Sequence, residues 1–411
     1  MFAWYRELSK AERRTFVAAF AGWSVDAVDF TMYTFLIPTL MATWAMSKGQ
    51  AGLIATASLI LSAVGGWLAG ILADRIGRVR VLQITIIWFS VCTFLSGFTN
   101  SFEQLLFVRA LQGLGFGGEW AVGSVLIGEM IRAEHRGKAV GTVQSGWAVG
   151  WGASAILFAV AFSVLPEHLA WRAMFWVGIL PALLVIYIRR NVKEPAVFEA
   201  TRQKVKESGG HFLDIFSPQL LGVTVLGSLM TTGMMSGYYA ITTWLPTYLK
   251  TVRNLSVLST SAYTFVLIIG SWVGYMAAAY MTDRIGRRKT FIVFAIATAG
   301  VTVLYTLIPV SNTAMLVLGF PLGFFLSGNF SGVGAFLTEL FPSRVRGSGQ
   351  GFVYNVGRGL GAFSPPLVGY LSSVMPLAEA IGIVTGTAFA IVVMMVLFLP
   401  ETRGKQLSIY D

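Results

Sequence analysis

Two carboxylates lie close together in the first apolar stretch of the chain. Asp26 and Asp29 are three residues apart near the middle of residues 16–41, a stretch long enough to cross a bilayer. Residues at this spacing share a face of a helix. A carboxylate in hydrocarbon costs at least about 2.5 kcal/mol, so it is rarely present without a function. Burial and a like charge both disfavour the ionised form, so either could carry a proton near neutral pH.

We favour Asp29 as the proton carrier because it lies deeper in the stretch. The alternative is that one of the two carboxylates only pairs with an arginine and fixes helix packing. Positions 209 residues later hold Met235 and Tyr238, so the acidic pair exists once.

Arg109 and Glu119 lie in the fourth apolar stretch, residues 103–129. A guanidinium at this depth must be paired or hydrated. Glu119 is about 15 Å further along the helix, so it is not expected to pair with Arg109. It is either a second proton acceptor or a packing carboxyl, and the sequence leaves both open.

Arg358 lies near the middle of the eleventh stretch, residues 348–373, in the half that lacks the acids. Its planar group of five donors fits a carboxylate with two parallel hydrogen bonds. We predict that Arg358 binds an organic anion, with Asn355 and Tyr354 beside it, although it could instead pair with Glu119. Further candidates for the cavity wall, each also compatible with ordinary packing, are Tyr33, Gln144, Trp147, Trp151, Tyr238, Tyr239 and Asn329.

The composition is that of an integral membrane protein. Of 411 residues, 55% are hydrophobic and 12% charged, and the mean hydropathy is +0.70. The net charge of +11 comes from Lys and Arg in short loops, which argues against a nucleic-acid partner. Cys92 is the single cysteine and the three histidines fall in predicted loops. We therefore expect no metal site and no cofactor.

At about 20 apolar residues per crossing, the pattern predicts an all-α membrane protein with twelve transmembrane helices. The predicted spans are 16–42, 51–72, 80–98, 103–129, 138–163, 170–190, 217–248, 257–281, 289–309, 313–340, 348–373 and 378–399. The longer spans, around Pro38, Pro246 and Pro365–Pro366, are expected to be tilted or kinked.

The basic residues predict the orientation. Of 30 Lys and Arg, only Lys48, Arg172, Lys250 and Arg253 fall on one side, and Arg109 and Arg358 lie within spans. The positive-inside rule then places both termini in the cytoplasm. The polar residues 191–215 are expected to be a cytoplasmic linker between two six-helix bundles, residues 1–190 and 216–411.

The two halves repeat a motif. Gly70-Ile-Leu-Ala-Asp74-Arg75-Ile-Gly77-Arg78 returns 209 positions later as Ala279-Tyr-Met-Thr-Asp283-Arg284-Ile-Gly286-Arg287, and Glu129 with Arg136 returns 210 positions later as Glu339 with Arg346. The repeat indicates duplication of a six-helix unit, with a ligand site between the two bundles. We expect these loop residues to latch the cytoplasmic helix ends when the protein is open outward.

These features resemble the major facilitator superfamily over essentially the full length. The motifs that carry the resemblance are the repeated Asp-Arg signature, Arg109-Ala-Leu-Gln112-Gly113 and Pro400-Glu401-Thr402-Arg403-Gly404. Three more resemble the sialate and monocarboxylate proton symporters: Gly22-Trp23-x-x-Asp26-x-x-Asp29-Phe30, Gly118-Glu119-Trp120 and Tyr354-Asn355-x-Gly357-Arg358-Gly359. The resemblance implies that Arg109 is the buried arginine of the fourth helix, linked to proton coupling through the first helix. We therefore hypothesise that Arg109 binds Asp29 in one conformation and releases it in another; the alternative is a permanent structural ion pair.

The resemblance implies a carrier rather than an enzyme. We expect a monomer in the bacterial inner membrane that takes up a small organic acid anion with a proton by alternating access. Sialic-acid members of that group have two additional central helices, for which residues 191–214 are too short, so we expect a smaller monocarboxylate or a muconate-like or aromatic carboxylate. The alternatives are a proton-driven antiporter that exports a drug or metabolite, and a transporter-derived receptor or channel.

Overall fold

The structure is a computed structural model that describes residues 3–131, 133–194, 212–341 and 346–403. Within these ranges the regular secondary structure is helical throughout. The helices are α1 (Ala3–Glu7), α2 (Lys10–Trp44), α3 (Lys48–Ile76), α4 (Arg78–Ser96), α5 (Phe102–Met130), α6 (Ala133–Val164), α7 (Glu167–Val177), α8 (Ala182–Asn191), a 3-10 helix (Phe212–Phe216), α9 (Leu221–Thr251), α10 (Val257–Ile285), α11 (Arg287–Thr306), α12 (Asn312–Gly328), α13 (Val333–Leu340), α14 (Arg346–Gly361), α15 (Ser364–Leu371) and α16 (Leu377–Phe398).

These helices form the twelve predicted crossings. The sixth, tenth and eleventh are each made of two helices in series: α7 with α8, α12 with α13, and α14 with α15. Eight stretches of the described residues are long and apolar enough to cross a membrane by length and composition. The eleventh crossing breaks just before Pro365, as expected, whereas α2 and α9 continue through Pro38 and Pro246.

The first residues of corresponding helices confirm that the two halves align at the offset of the sequence repeat. Ser47 caps α3 and Ser256, 209 positions later, caps α10; each side-chain oxygen accepts a backbone N–H of the first turn. Between α3 and α4 the chain turns at Gly77 with φ of 110°, and between α10 and α11 at Gly286 with φ of 101°. A backbone in this region favours glycine, which explains why both copies of the motif hold one there.

Glycines let the helices of each half approach closely. A Cβ added at Gly65 of α3 would lie 2.0 Å from the Leu114 carbonyl oxygen of α5. A Cβ at Gly274 of α10 would lie 2.1 Å from the Phe324 carbonyl oxygen of α12. These positions also correspond under the repeat, and such contacts between small residues are typical of membrane helices.

Among the described residues, α2 of the first half packs against α9 of the second. Two further helix contacts also join the halves. One is α3 against α14 and α15, where the Thr56 hydroxyl donates to the Ala362 carbonyl oxygen at 2.6 Å. The other is α6 against α10, where Gly152 approaches Ile268. The α3 contact runs to mid-depth, because Gly66 of α3 lies beside the Asn355 side chain. The exact division of the chain at residues 191–215 stays a prediction, since most of that segment lies outside the described residues.

Candidate functional site

The Asp29 carboxylate is held by side chains from two other helices. Arg109 of α5 donates through Nη1 to Oδ1 of Asp29 at 3.0 Å, and this is also the ion pair between them. Thr93 of α4 donates to the same oxygen, and Gln112 of α5 donates to Oδ2. Both carboxylate oxygens therefore have hydrogen-bond donors, and the pair is 2–4% exposed.

Arg109 is fixed by further contacts. Its guanidinium carbon lies 5.7 Å from the centre of the Tyr33 ring and 5.9 Å from that of Phe175. The Ser58 hydroxyl donates to the Arg109 carbonyl oxygen at 2.6 Å and to Gln112 Oε1 at 3.2 Å. An ion pair with this many supporting contacts is held firmly in this structure, which favours a structural role for Asp29 and Arg109.

The Asp26 carboxylate has different surroundings. Asp26 is fully buried, and neither of its oxygens has a hydrogen-bond partner among the described residues. The Glu119 carboxyl lies beside it, and Glu119 Oε1 is also without a partner. Gly22, one turn before Asp26 on α2, makes room for Glu119: a Cβ there would lie 2.2 Å from Oε1. Two adjacent carboxyls in such a place cannot both be ionised at reasonable cost, which favours a shared proton.

Arg358 approaches this carboxyl pair from the other half of the protein. It is 3% exposed and its Nε has no hydrogen-bond partner. Its guanidinium carbon lies 5.3 Å from the Tyr354 ring centre and 5.4 Å from that of Phe116. Within the described residues the mostly buried ion pairs are Asp29 with Arg109 and Arg287 with Glu339, and Arg358 belongs to neither. Arg358 is thus held by aromatic side chains, and the Tyr239 and Tyr354 hydroxyls also accept hydrogen bonds from it. A carboxylate is a stronger acceptor than these hydroxyls for the planar edge of the guanidinium.

An aromatic cluster surrounds these charges and spans both halves. Phe30 of α2 lies 5.6 Å from Tyr239 of α9 between ring centres. Trp147 of α6 donates through Nε1 to the Tyr238 hydroxyl of α9. The members of the cluster are Trp23, Phe30, Phe116, Trp120, Trp147, Tyr238, Tyr239, Phe330 and Tyr354. Several of these rings were not among the sequence candidates, although Trp23 and Trp120 flank the buried acids in the sequence.

The remaining candidates for the cavity wall have different surroundings. The Tyr33 hydroxyl donates to the Ala51 carbonyl oxygen at 2.7 Å, so it joins α2 to α3. The Asn329 amide donates to the Phe325 carbonyl oxygen at 2.9 Å and that of Asn355 to the Gly351 oxygen at 3.0 Å. Gln144 and Trp151 are buried, each with a polar side-chain atom that has no partner.

The described site residues are buried. Asp26, Glu119, Arg358, Trp147, Tyr238 and Tyr239 are all 0–6% exposed. At the end of the bundle away from Gly77 and Gly286, Lys250 of α9 approaches Glu167 of α7 at 3.9 Å and so bridges the halves. A cavity of about 380 Å³ lies at the same end, lined by both halves, including Lys48, Thr247 and Ser372.

The repeated loop motif is visible mainly in its second copy. Arg287 donates to Glu339 through Nη2 at 3.0 Å and Nε at 3.3 Å. Glu401 accepts the backbone N–H groups of Arg287 and Arg288 at 2.9 and 3.1 Å, and Glu194 does the same for Arg78 and Val79 in the first half, both at 2.9 Å. The sequence reasoning missed both glutamates as helix caps. The side chains of Asp74, Arg75, Glu129, Arg136, Asp283 and Arg346 lie outside the described residues, and Gly70 is described only as part of α3.

The cap also changes the acidity of Glu401. Burial raises the pKa of its carboxyl, but hydrogen bonds from four backbone N–H groups outweigh burial and lower that pKa below its usual value. Glu401 therefore stays ionised at neutral pH and suits the positive start of α11.

Twelve membrane-crossing helices in two bundles, with ionisable side chains buried between them, define a membrane carrier. The sequence profile of the Major Facilitator Superfamily matches residues 19–277 and 263–409. The chain belongs to this superfamily and is a membrane transporter.

Known proteins support this assignment. A "Probable 4-methylmuconolactone transporter" of Cupriavidus pinatubonensis is 44% identical over 98% of this chain and 94% of that protein. A cis,cis-muconate transport protein of Acinetobacter baylyi is 32% identical over 94% of each chain. The crystal structure of a D-xylose-proton symporter matches with a TM-score of 0.76 at 20% identity, over 96% of this chain and 99% of that one, which shows the shared fold.

One expectation is corrected by a further relative. A sialic acid transporter of Escherichia coli is 29% identical, and the alignment spans 98% of this chain and 97% of that protein. A carrier of this length therefore bears that name, so the short segment at 191–214 does not exclude sialic acid.

The two aspartates should differ in their effect on stability. Asp29→Asn leaves Arg109 as an unpaired buried cation, and we expect a loss of roughly 3–5 kcal/mol in unfolding free energy. Asp26→Asn removes no ion pair and should unfold at or above the wild-type temperature. Thermal unfolding of both variants in the same detergent measures this. Equal destabilisation by the two substitutions would contradict the assignment.

Proposed function

We propose that this protein imports a small organic carboxylate together with a proton by alternating access across the bacterial cytoplasmic membrane. The observation that carries the proposal is Arg358, a buried arginine that has no ion pair with any described residue and faces two buried carboxyls from the opposite half. Two relatives described above are named for muconate or its lactone. Muconate is an unsaturated dicarboxylate, and this site suits one of its carboxylates together with its planar body.

The substrate contact is assigned to the Arg358 guanidinium. A carboxylate offers two acceptor oxygens in the geometry of the guanidinium edge, and in a dry site such a contact is strong. The Phe116 and Tyr354 rings, 5.4 and 5.3 Å from the guanidinium carbon, keep this group oriented. The neighbouring rings of Phe30 and Tyr239 offer flat apolar faces to a planar unsaturated body. We therefore propose a planar or aromatic carboxylate as substrate.

The proton is assigned to the pair Asp26 and Glu119, which revises the preference for Asp29. Asp29 accepts hydrogen bonds from Arg109, Gln112 and Thr93, so donors already occupy both of its oxygens. Asp26 has no donor and lies beside a second carboxyl, the arrangement in which a proton is retained. Asp29 with Arg109 then serves as the fixed ion pair that orients α2 against α5.

Charge balance supplies the coupling. If Asp26 and Glu119 share one proton, they carry one negative charge, which offsets the positive charge of Arg358. A substrate carboxylate bound to Arg358 offsets the positive charge of Arg358 instead. The negative charge of the acid pair is then left without a compensating cation. It then takes up a second proton, because a buried uncompensated charge costs several kcal/mol. Each monocarboxylate would thus enter with one proton.

Alternating exposure requires the two halves to separate at one end at a time. The contact between Lys250 and Glu167 is exposed and long at 3.9 Å, so it closes one end only weakly. We assign this end to the outside because the basic loops lie at the other end of the spans. The cavity that contains Lys48 would be the entry vestibule. With one proton per monocarboxylate, the cycle moves no net charge and is driven by the pH gradient.

The proposed role of Asp26 and Glu119 in proton binding can be tested by measuring proton-driven uptake and substrate exchange separately. In vesicles with an acidic exterior, wild-type protein should accumulate labelled muconate, whereas an antiporter would deplete it. Asp26→Asn and Glu119→Gln should each lower gradient-driven accumulation about tenfold or more, while substrate exchange, which needs no net proton movement, stays within about threefold. If both variants lose exchange as well, or both keep full accumulation, the assignment is wrong.

The role of Arg358 can be tested with a substitution that keeps the charge. Arg358→Lys loses the two-pronged contact and should raise the KM for a carboxylate substrate about tenfold or more. Arg189→Lys, an exposed arginine in the last turn of α8, is the matched control and should behave like wild type. Initial uptake rates over a range of substrate concentrations give the KM of each variant. An unchanged KM in Arg358→Lys would favour proton-driven export of a different substrate.

A further inference from the structure

A second cavity lies on the second half, where α10 ends and α11 begins. Its volume is about 490 Å³, and it is lined by Arg284, Ile285, Lys289, Ile292, Val293 and Arg403. Half of these residues are cationic, and none of the described lining residues is acidic. The cations come from three segments: the last turn of α10, the first turn of α11 and the chain after α16.

The side chains of Arg284, Lys289 and Arg403 form no hydrogen bond or ion pair with any residue that the structure describes. Their neighbours behave differently. Arg287 binds Glu339, and Arg288 donates to the carbonyl oxygens of Val396 and Leu397 at 3.0 and 2.6 Å. Cations that converge without a protein partner are available to an external anion.

The cavity continues into an apolar strip on the outer face of α11. Val293 is 46% exposed and Ile296 59% exposed, and with Lys289 they lie at successive turns of one helix face. Ile285 at the end of α10 is 39% exposed. In a membrane-spanning helix, exposed aliphatic side chains of this kind face lipid chains.

We propose that this cavity binds the phosphate headgroup of an anionic glycerophospholipid, with an acyl chain along Val293 and Ile296. Basic pockets at the membrane surface between transmembrane helices suit such headgroups. A soluble phosphate would meet the cations but leave the apolar wall uncovered, whereas a lipid covers both. With the orientation proposed above, the lipid belongs to the cytoplasmic leaflet. The proposal is otherwise independent of the transported substrate.

The repeat supplies an internal comparison. Positions 209 residues earlier hold Arg80 in place of Lys289 and the polar Gln83 in place of Ile292. The equivalent place in the first half thus keeps a cation but interrupts the apolar wall. Arg80→Gln is therefore a matched control, since it removes one exposed basic residue at the equivalent helix start.

The test uses the full-length protein in neutral detergent with short-chain phosphatidylglycerol as probe. Native mass spectrometry should show that it binds in preference to phosphatidylcholine of the same chain length. Lys289→Gln combined with Arg403→Gln should weaken this binding about tenfold or more, and Arg80→Gln should leave it unchanged. Thermal unfolding of each variant shows that the fold is retained.

Three results would overturn the proposal. These are equal binding of the two lipids, unchanged phosphatidylglycerol binding in the double variant, and displacement of the lipid by glycerol 3-phosphate at equal concentration, which would indicate a site for a soluble phosphate.

Discussion

A charge buried among membrane helices must be compensated, and this constraint accounts for most of the protein's interior. Asp29 and Arg109 satisfy it in this structure by direct pairing, with Thr93 and Gln112 supplying further donors. Asp26, Glu119 and Arg358 do not satisfy it by direct pairing. In the proposed mechanism, a proton shared by Asp26 and Glu119 makes this second group neutral as a whole, and a bound carboxylate changes the number of protons needed to keep it neutral. The need to compensate buried charge thus accounts for both the ion pair of Asp29 with Arg109 and the proposed proton-binding group of Asp26, Glu119 and Arg358.

The two halves share a frame but divide the chemistry. Helix caps at Ser47 and Ser256, and the turns at Gly77 and Gly286, recur at one offset. The acids lie only in the first half and Arg358 only in the second. Because the two bundles must move relative to each other during alternating access, charges placed on opposite halves sense that movement. A duplicated scaffold with unequal side chains suits the coupling of proton and substrate.

The arrangement of the membrane-spanning helices could be predicted from the sequence because hydropathy and loop motifs are local properties. Twelve spans and the repeat followed from spacing and residue type, whereas the hypothesis that Asp29 pairs with Arg109 rested on the family resemblance. The partner of Asp26 did not, since residues three apart differ by about 60° around a helix, enough to face different neighbours. Only the packing of α2 on α5, with Gly22 making room for Glu119, separates the two aspartates. The stacking of Arg358 between Phe116 and Tyr354 likewise depends on contacts between different helices.

Proton uptake on substrate binding tests the central claim most directly. Purified protein in weakly buffered detergent solution, mixed with muconate near neutral pH, should remove about one proton from solution for each carboxylate that binds Arg358. Asp26→Asn should bind substrate with little proton uptake. Substrate binding by wild-type protein without any proton uptake, or full uptake by Asp26→Asn, would contradict the account.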